Sequence, residues 1–372
     1  MRLDHARLVL VGGGHAHLGV LADWIENGTP AGRHILLSPG RHARYSGMIP
    51  GTLAGDYGVN DGLIDLHALA ERAGITMVYD RCNGLGDDGR SLTTESGDAI
   101  GFDWCSIDTG GVGAAREMVG DDPRLLDVRP ITSFLERFEE RLSAHDEAGL
   151  RVAVLGGGAG GVELTFALRK RLGARGTVVL VAGAEGLLAS FGKRARRLVR
   201  RELAAQGIEV IEENARFESG VLMAGERSLE PLDAVLAALP AGAPEWPRTS
   251  GLAVDEHGFI AVDRHQRSLS HPTIFAAGDV ASRQDRFVPH SGVHAVHTGP
   301  VLAQNLRHAL DGKGSLASYH PRPASLYLLS TGDGAGAATY GPLAAQGAWA
   351  DRLKRWIDTR WIERFAKLAG GV

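Results

Sequence analysis

The sequence predicts an α/β protein built on two parallel-sheet units, and three observations carry that prediction. An apolar run, Leu8-Val9-Leu10-Val11, stops at Gly12-Gly13-Gly14, and a helical pattern follows at once (Leu18, Val20, Leu21, Trp24, Ile25). The arrangement returns at Val152-Ala153-Val154-Leu155-Gly156-Gly157-Gly158, again ahead of a helical pattern (Leu164, Phe166, Ala167, Leu168, Leu172). A late strand-like run, Ile274-Phe275-Ala276-Ala277, ends in Gly278-Asp279. Strand, tight glycine turn and helix N-terminus open a dinucleotide-binding βαβ unit. The glycines let the backbone approach a pyrophosphate, and the helix points its free N–H groups at it. The later copy has all three glycines, Gly156, Gly158 and Gly161; the first has His17 in the third place. Two copies in one chain mean two dinucleotides.

Composition narrows the rest. At 372 residues the chain exceeds one ordinary core, so two or three domains are expected. A net charge of −4 gives no reason to expect a nucleic-acid partner. Cys82 and Cys105 lie far apart and form no C-x-x-C, which disfavours a redox dithiol and fits a reducing, cytoplasmic setting. The N-terminus reads directly into a strand, with no leader expected ahead of it. No apolar run reaches about 18 residues, so no membrane span is expected.

Taken in order, residues 8–11 read as a strand, 15–26 as a helix and His34–Ser38 as a second strand. An acid near the end of that strand ordinarily binds the adenosine ribose; Ser38-Pro39 stands there instead. Arg44 to Gly51 reads as a loop with enough apolar character to pack on a flat ligand. Residues 63–74 look helical, Ile75–Tyr79 extended, and short strands follow around turns at Asp87-Asp88-Gly89 and Ser96-Gly97-Asp98. Phe102–Ile107 is a strand running into Asp108-Thr109-Gly110-Gly111. Residues 112–133, with Pro123 and Pro130, read as a crossover, and a helix follows from Ser133 to about Ala148. After the second fingerprint come strand Thr177–Val181, with no acid closing it and Glu185 just beyond, and a basic helix over 193–206. That helix is either a solvated face or an attractor for a phosphorylated cofactor. A strand at 208–211, a hairpin near 215–230 and the run Leu232–Leu239 close this part. Beyond Gly251, a turn at His257-Gly258 precedes the strand Phe259–Val262. A helix from about Ser291 to Leu310 is expected to kink at Gly299-Pro300, and 326–330 pairs with 337–340.

The tail over 346–369 carries Trp349, Leu353, Trp356, Ile357, Trp361, Ile362, Phe365 and Leu368, with six basic and three acidic residues between 351 and 367. At 100° per residue its apolar face drifts, so one straight helix does not lay every apolar residue on one surface. Two short helices, or one wrapped on the body, are expected. Docking on a membrane surface or protein partner and plain packing both fit.

The two fingerprints, Thr109-Gly110, and Thr273 to Asp279 resemble the FAD/NAD(P)H-dependent pyridine nucleotide-disulfide oxidoreductase superfamily. The stretch Tyr45 to Pro50 and the missing cysteine pair are similar to type II NADH:quinone oxidoreductases and sulfide:quinone reductases. More narrowly, Gly12 to Leu18, Tyr45 to Gly51 and Ser330 to Asp333 resemble the FAD module found N-terminal to selenide, water dikinase in some bacterial fusions. The resemblance implies two Rossmann-like domains of the three-layer ββα type, with the NAD domain inserted in a discontinuous FAD domain. The expected boundaries are 1–112 for the first FAD part, 113–250 for NAD(P)H, 251–325 for the second FAD part, and 326–372 for a hairpin and amphipathic helical tail.

The residues expected at the cofactors are Gly12, Gly14, His15, Ala16, His17, Ser38, Pro39, Arg44, Cys82, Thr109, Gly110, Gly278, Asp279 and His294 for FAD, and Gly156, Gly158, Gly161 and Glu163 for NAD(P)H. His17 is expected within reach of the pyrophosphate or flavin; Cys82 and Cys105 also read as buried packing residues. His290, His294 and His297 share a helical spacing, and His294 is the candidate proton shuttle; no metal site is expected. Leu239-Pro240 stands where the family has an Ala-Thr-Gly turn, so the return between domains is expected to differ. The expected activity is hydride transfer from NAD(P)H to FAD and onward to a small acceptor such as a quinone, without redox-active cysteines. A flavin-containing accessory or partner-binding protein with a degenerate nicotinamide site is the alternative. A cytoplasmic location is expected, with peripheral contact at the inner membrane face through the tail.

Overall fold

The computed structural model describes residues 2–143 and 149–371. Its first part contains β1 (Arg2–Val11), α1 (His15–Asn27), β2 (His34–Leu37), β3 (His42–Arg44), α2 (Ile49–Leu53), β4 (Leu63–Asp65), α3 (Leu66–Arg72), β5 (Thr76–Val78), β6 (Cys82–Leu85), β7 (Ser91–Thr94) and β8 (Ala99–Ile107). The sheet runs β5-β2-β1-β8-β7-β6. Its β5-β2-β1-β8 core is parallel, and β6 and β7 extend it antiparallel. Leu8, Val9, Leu10 and Val11 are buried, as a strand covered on both faces requires. Residues 63–65 form a strand beside β3 rather than the start of a helix, and the helix begins at Leu66 under an Asp65 cap. The stretch read as a loop is largely helical. Ser46–Met48 makes a 3₁₀ turn that leads into α2, where Pro50 sits in the first turn.

The second part contains α4 (Ala115–Val119), β9 (Leu125–Asp127), α5 (Ile131–Ser143), β10 (Arg151–Leu155), α6 (Ala159–Leu172), β11 (Thr177–Val181), α7 (Lys193–Ala205), β12 (Glu209–Ile211), β13 (Ala215–Glu218), β14 (Val221–Ala224), β15 (Arg227–Ser228) and β16 (Ala234–Ala237). A parallel sheet runs β12-β11-β10-β16-β9, and β13-β14-β15 form an antiparallel appendage. The crossover therefore contributes an edge strand, β9. The helix expected to Ala148 is seen to Ser143; residues 144–148 lie outside the described ones.

The chain returns through α8 (Trp246–Thr249), β17 (Ile260–Val262), β18 (Ile274–Ala276), β19 (Ala281–Arg283) and α9 (Gly292–Asp311). β18 enters the first sheet beside β8, pairing Ile274 with Cys105 and Ala276 with Ile107. α9 continues through Pro300 and crosses α1 closely. A Cβ on Gly19 would lie 2.9 Å from the Gly299 Cα, so both positions need glycine. Finally β20 (Leu326–Ser330), β21 (Gly336–Tyr340) and β22 (Leu343–Gly347) form a meander, one strand more than the expected hairpin. The tail is a single helix, α10 (Ala348–Leu368).

Candidate functional site

A cavity of about 2010 Å³ runs along the carboxyl ends of β10, β11 and β16 and reaches His15 at the start of α1. Such a volume exceeds the ordinary 300–1,000 Å³ of single-ligand pockets. Its far wall is the Tyr45–Pro50 stretch, and α10 closes one side with Trp356, Ile357, Arg360 and Trp361.

The first fingerprint is more tightly built than its sequence implied. Gly12 has φ +93°, and a Cβ there would sit 2.4 Å from the Asp108 carbonyl oxygen. His17 turns inward. It is fully buried, with Nδ1 2.7 Å from the Gly12 carbonyl and Nε2 2.8 Å from Ser106 Oγ. Burial lowers its pKa to about 4, so it is neutral. The expectation that His17 reaches a cofactor is corrected: its ring braces the glycine loop against β8. In the second fingerprint the equivalent carbonyl, Gly156 O, would lie 1.9 Å from a Cβ on Gly161, so there the helix packs bare against the loop. Of the two fingerprint histidines, His15 is the one on the cavity. Its ring stands 5.8 Å from Tyr45 and 6.4 Å from Trp361.

Asp108, at the end of β8, was not singled out in the sequence. It is 2% exposed and accepts a hydrogen bond from the His17 backbone N–H at 2.9 Å, capping α1 from outside. Its carboxyl lies against both Gly14 and Gly278: Cβ atoms there would fall 2.3 and 2.5 Å from it. Burial pushes Asp108 up to about 7, against the hydrogen bonds from His17 and Ala16 and with the help of Asp279.

The other expected residues divide. Gly278 turns at φ +69°, and Asp279 pairs with Arg129 of the second part at 3.3 Å. Thr109 and Gly110 follow β8 at the same sheet edge, and Ser38 and Pro39 follow β2. Arg44 donates Nη1 to the Val59 carbonyl at 2.7 Å, while its buried Nε has no partner. Cys82 lies in the core on β6, with burial pushing its thiol up to about 12, as a packing residue would. Cys105 is likewise buried. His294 is buried, and its Nδ1 lies 2.7 Å from the Tyr319 hydroxyl, while Val293, Val296 and His297 line the cavity. His290 precedes α9, so the three histidines share no helix face. No group of metal-ligating side chains occurs among the described residues.

At the second fingerprint Gly156, Gly158 and Gly160 line the cavity. α6 has no side-chain cap, and Cβ atoms on Gly158 and Gly160 would meet nothing within 4 Å. That open N-terminus fits a pyrophosphate. Ser291 Oγ and Trp361 Nε1 are buried on the cavity wall without partners, which fits a ligand with polar edges. Glu185 and Asn214 line the cavity beyond β11, whereas no residue of the basic α7 does. Leu239-Pro240 lies on the wall, and an antiparallel bridge between Val112 and Gly242 ties the two crossings together.

A charged chain that sequence reasoning missed joins three distant segments. Lys354 on α10 donates to the Gly47 carbonyl at 2.8 Å and to Asp358 at 2.9 Å, and stands 3.8 Å from Glu163. Tyr45 donates its hydroxyl to Asp358 at 3.0 Å, and Glu163 accepts from the Ser330 N–H at 3.1 Å. Burial opposes the ammonium, but Glu163 and Asp358 more than offset it and hold Lys354 above its usual value. Burial raises both carboxylic acids. The one available signal was the i,i+4 pair Lys354 and Asp358 on an otherwise amphipathic tail.

The description "Pyridine nucleotide-disulphide oxidoreductase" belongs to a family model that matches residues 6–304. The chain belongs to this family. Membership implies FAD and NAD(P)H as its cofactors. It is 26% identical over 243 residues to a demethylphylloquinone reductase of Synechocystis, covering 60% of each chain. It is 26% identical over 278 residues to the alternative NAD(P)H-ubiquinone oxidoreductase C1 of Arabidopsis thaliana, covering 62% of this chain and 53% of that one. The matched region thus spans little more than half the length of these relatives. The fold is similar to NDH2 of Plasmodium falciparum in complex with NADH, with a TM-score of 0.78 at 13% identity over 96% of this chain and 98% of that one.

Proposed function

We propose that the protein takes hydride from NAD(P)H and passes the electrons to a small acceptor, a quinone, without cysteine chemistry. The observation that carries this reading is the single cavity on which the open second fingerprint, His15 of the first, and an aromatic wall of Tyr45 and Trp361 all meet. Two relatives whose names specify quinone substrates support the acceptor class. In this reading residues 1–112 and 251–325 hold FAD and 113–250 hold NAD(P)H. FAD, when bound, supplies the hydride acceptance and the two-electron delivery. The chain supplies position and protons. Gly158 and the α6 N-terminus seat the NAD(P)H pyrophosphate. Asp279 and the Gly278 turn orient the flavin side, with Arg129 holding Asp279. Tyr45 and Trp361 present flat faces to an aromatic acceptor. Quinone reduction takes up two protons with two electrons; the Glu163 carboxyl lines the cavity, shares Lys354 with Asp358, and is the group there that would relay a proton.

We further place the protein in the cytoplasm, in peripheral contact with the inner membrane face. Trp349, Trp356 and Ile357 on α10 are exposed, which supports that docking. Among the described residues no helix is long and apolar enough to cross a membrane.

Anaerobic mixing with NADH and with NADPH tests the function. Loss of the flavin's visible absorbance, reversed by a short-chain naphthoquinone, is the expected result. A spectrum unchanged by both nucleotides rejects it and leaves the flavin-containing accessory protein.

A further inference from the structure

The two fingerprints carry an internal comparison. Each opens with a glycine whose absent Cβ would fall 2.4 Å from a carbonyl oxygen of the residue ending a neighbouring strand. That residue is Asp108 for Gly12 and Ala238 for Gly156. Ala238 shows that the turn itself needs no carboxyl. In the second copy the space before Gly158 is open; in the first, the Asp108 carboxyl fills the space before Gly14. The middle glycine is where the backbone approaches a pyrophosphate. The same carboxyl touches Gly278, whose turn carries Asp279. An acid therefore stands between the two glycine turns that flank the pyrophosphate seat, buried and already accepting from the α1 N-terminus.

We propose that Asp108 is a ligand of the FAD pyrophosphate that acts in its protonated form, so that FAD is held firmly below neutral pH and released as pH rises. The proposal rests on FAD occupying the first fingerprint. A carboxylate beside a diphosphate repels it, whereas a carboxylic acid donates a hydrogen bond to it. The surroundings leave Asp108 as the group that titrates. From α1 it is faced by His15 and His17, both lowered by burial and so neutral above pH 6.5. From the Gly278 turn it is faced by Asp279, which pairs with Arg129. From α9 the residue at that turn is Ala295, and His294 points to Tyr319. Burial sets the proton affinity of Asp108 near neutrality.

The test is FAD release from the purified holoprotein, read as free-flavin fluorescence at equilibrium from pH 6 to 9, for wild type, Asp108→Asn and Asp108→Ala. The wild-type Kd is expected to rise about tenfold per pH unit above pH 7. Asp108→Asn keeps a neutral donor and is expected to hold FAD with a Kd that does not change with pH. Asp108→Ala reproduces the second fingerprint and is also expected to be flat. A wild-type Kd constant from pH 6 to 9, which needs no variant to measure, overturns the proposal. So does a slope that survives in either variant. A protein that holds no FAD even at pH 6 is a different failure: it rejects FAD at the first fingerprint, and the proposal with it.

Discussion

Replacing His17 by glycine would restore the third glycine of the first fingerprint, yet it is expected to destabilise the protein. The ring's loss leaves the Gly12 carbonyl and the Ser106 hydroxyl buried without partners. The expected cost is about 2–3 kcal/mol, read as a lower urea midpoint at unchanged slope. The pH dependence follows with a fixed sign. His17 titrates near 4 in the folded chain against 6.5 unfolded, so the unfolded state binds the extra proton between them. Its stabilising contribution is present above pH 6.5 and is lost as pH falls through 4, on the order of 3 kcal/mol in all. Urea midpoints at pH 7 and pH 4.5 should therefore differ more for wild type than for His17→Gly.

At the scale of one element, α10 is arranged against simple amphipathicity. Asp351, Asp358 and Phe365 face the body, while Trp356 and Ile357 stay exposed. Lys354→Met leaves Asp358 and Glu163 facing each other without their shared cation, with an expected loss of about 3–5 kcal/mol in a chemical unfolding measurement. Trp356→Ser is expected to leave stability within about 0.5 kcal/mol and to reduce cosedimentation with anionic phospholipid vesicles. Cosedimentation equal to wild type would exclude that face as the docking surface. α7 offers the contrary case. Arg194 and Arg197 lie off the cavity, so Arg194→Glu with Arg197→Glu is expected to leave the KM for NADPH unchanged in steady-state assays. A severalfold rise would restore the phosphate-attracting reading.

For the molecule as a whole, much of the framework was legible because glycine turns and apolar runs are local signals. Both fingerprints, the Gly278-Asp279 end and α9 stand where residue patterns put them. What escaped the sequence depends on partners distant along the chain. β9 is only Leu125–Asp127, and it becomes a strand by pairing with β16. β22 has no alternation of its own and is defined by β21. The stretch around Ser46–Leu53 has the composition of a loop, yet Ile49 and Leu53 join the same apolar cluster as α6, and burial overrides propensity. The inward turn of His17 and the place of Asp108 required knowing which strand lies beside the first glycine loop. Arg129, on the cavity wall, and Asp279, 150 residues apart, tie the second part to the Gly278 turn. Arg129→Ala is expected to raise the KM for the nicotinamide nucleotide severalfold while shifting the melting temperature little, since the pair is partly exposed.

The chain from Tyr45 through Asp358 and Lys354 to Glu163 has a consequence for the order in which ligands are felt. Glu163 sits on the helix that presents the second fingerprint, and Tyr45 belongs to the aromatic wall. In the proposed reading, a nucleotide beside Glu163 and an acceptor beside Tyr45 would each meet one end of the ion-pair chain centred on Lys354. Their affinities are then thermodynamically linked: whatever factor NAD⁺ imposes on binding of a quinone analogue, the analogue imposes on NAD⁺. Isothermal titrations run in both orders should return one common factor, and Lys354→Arg should change that factor in both directions by the same amount.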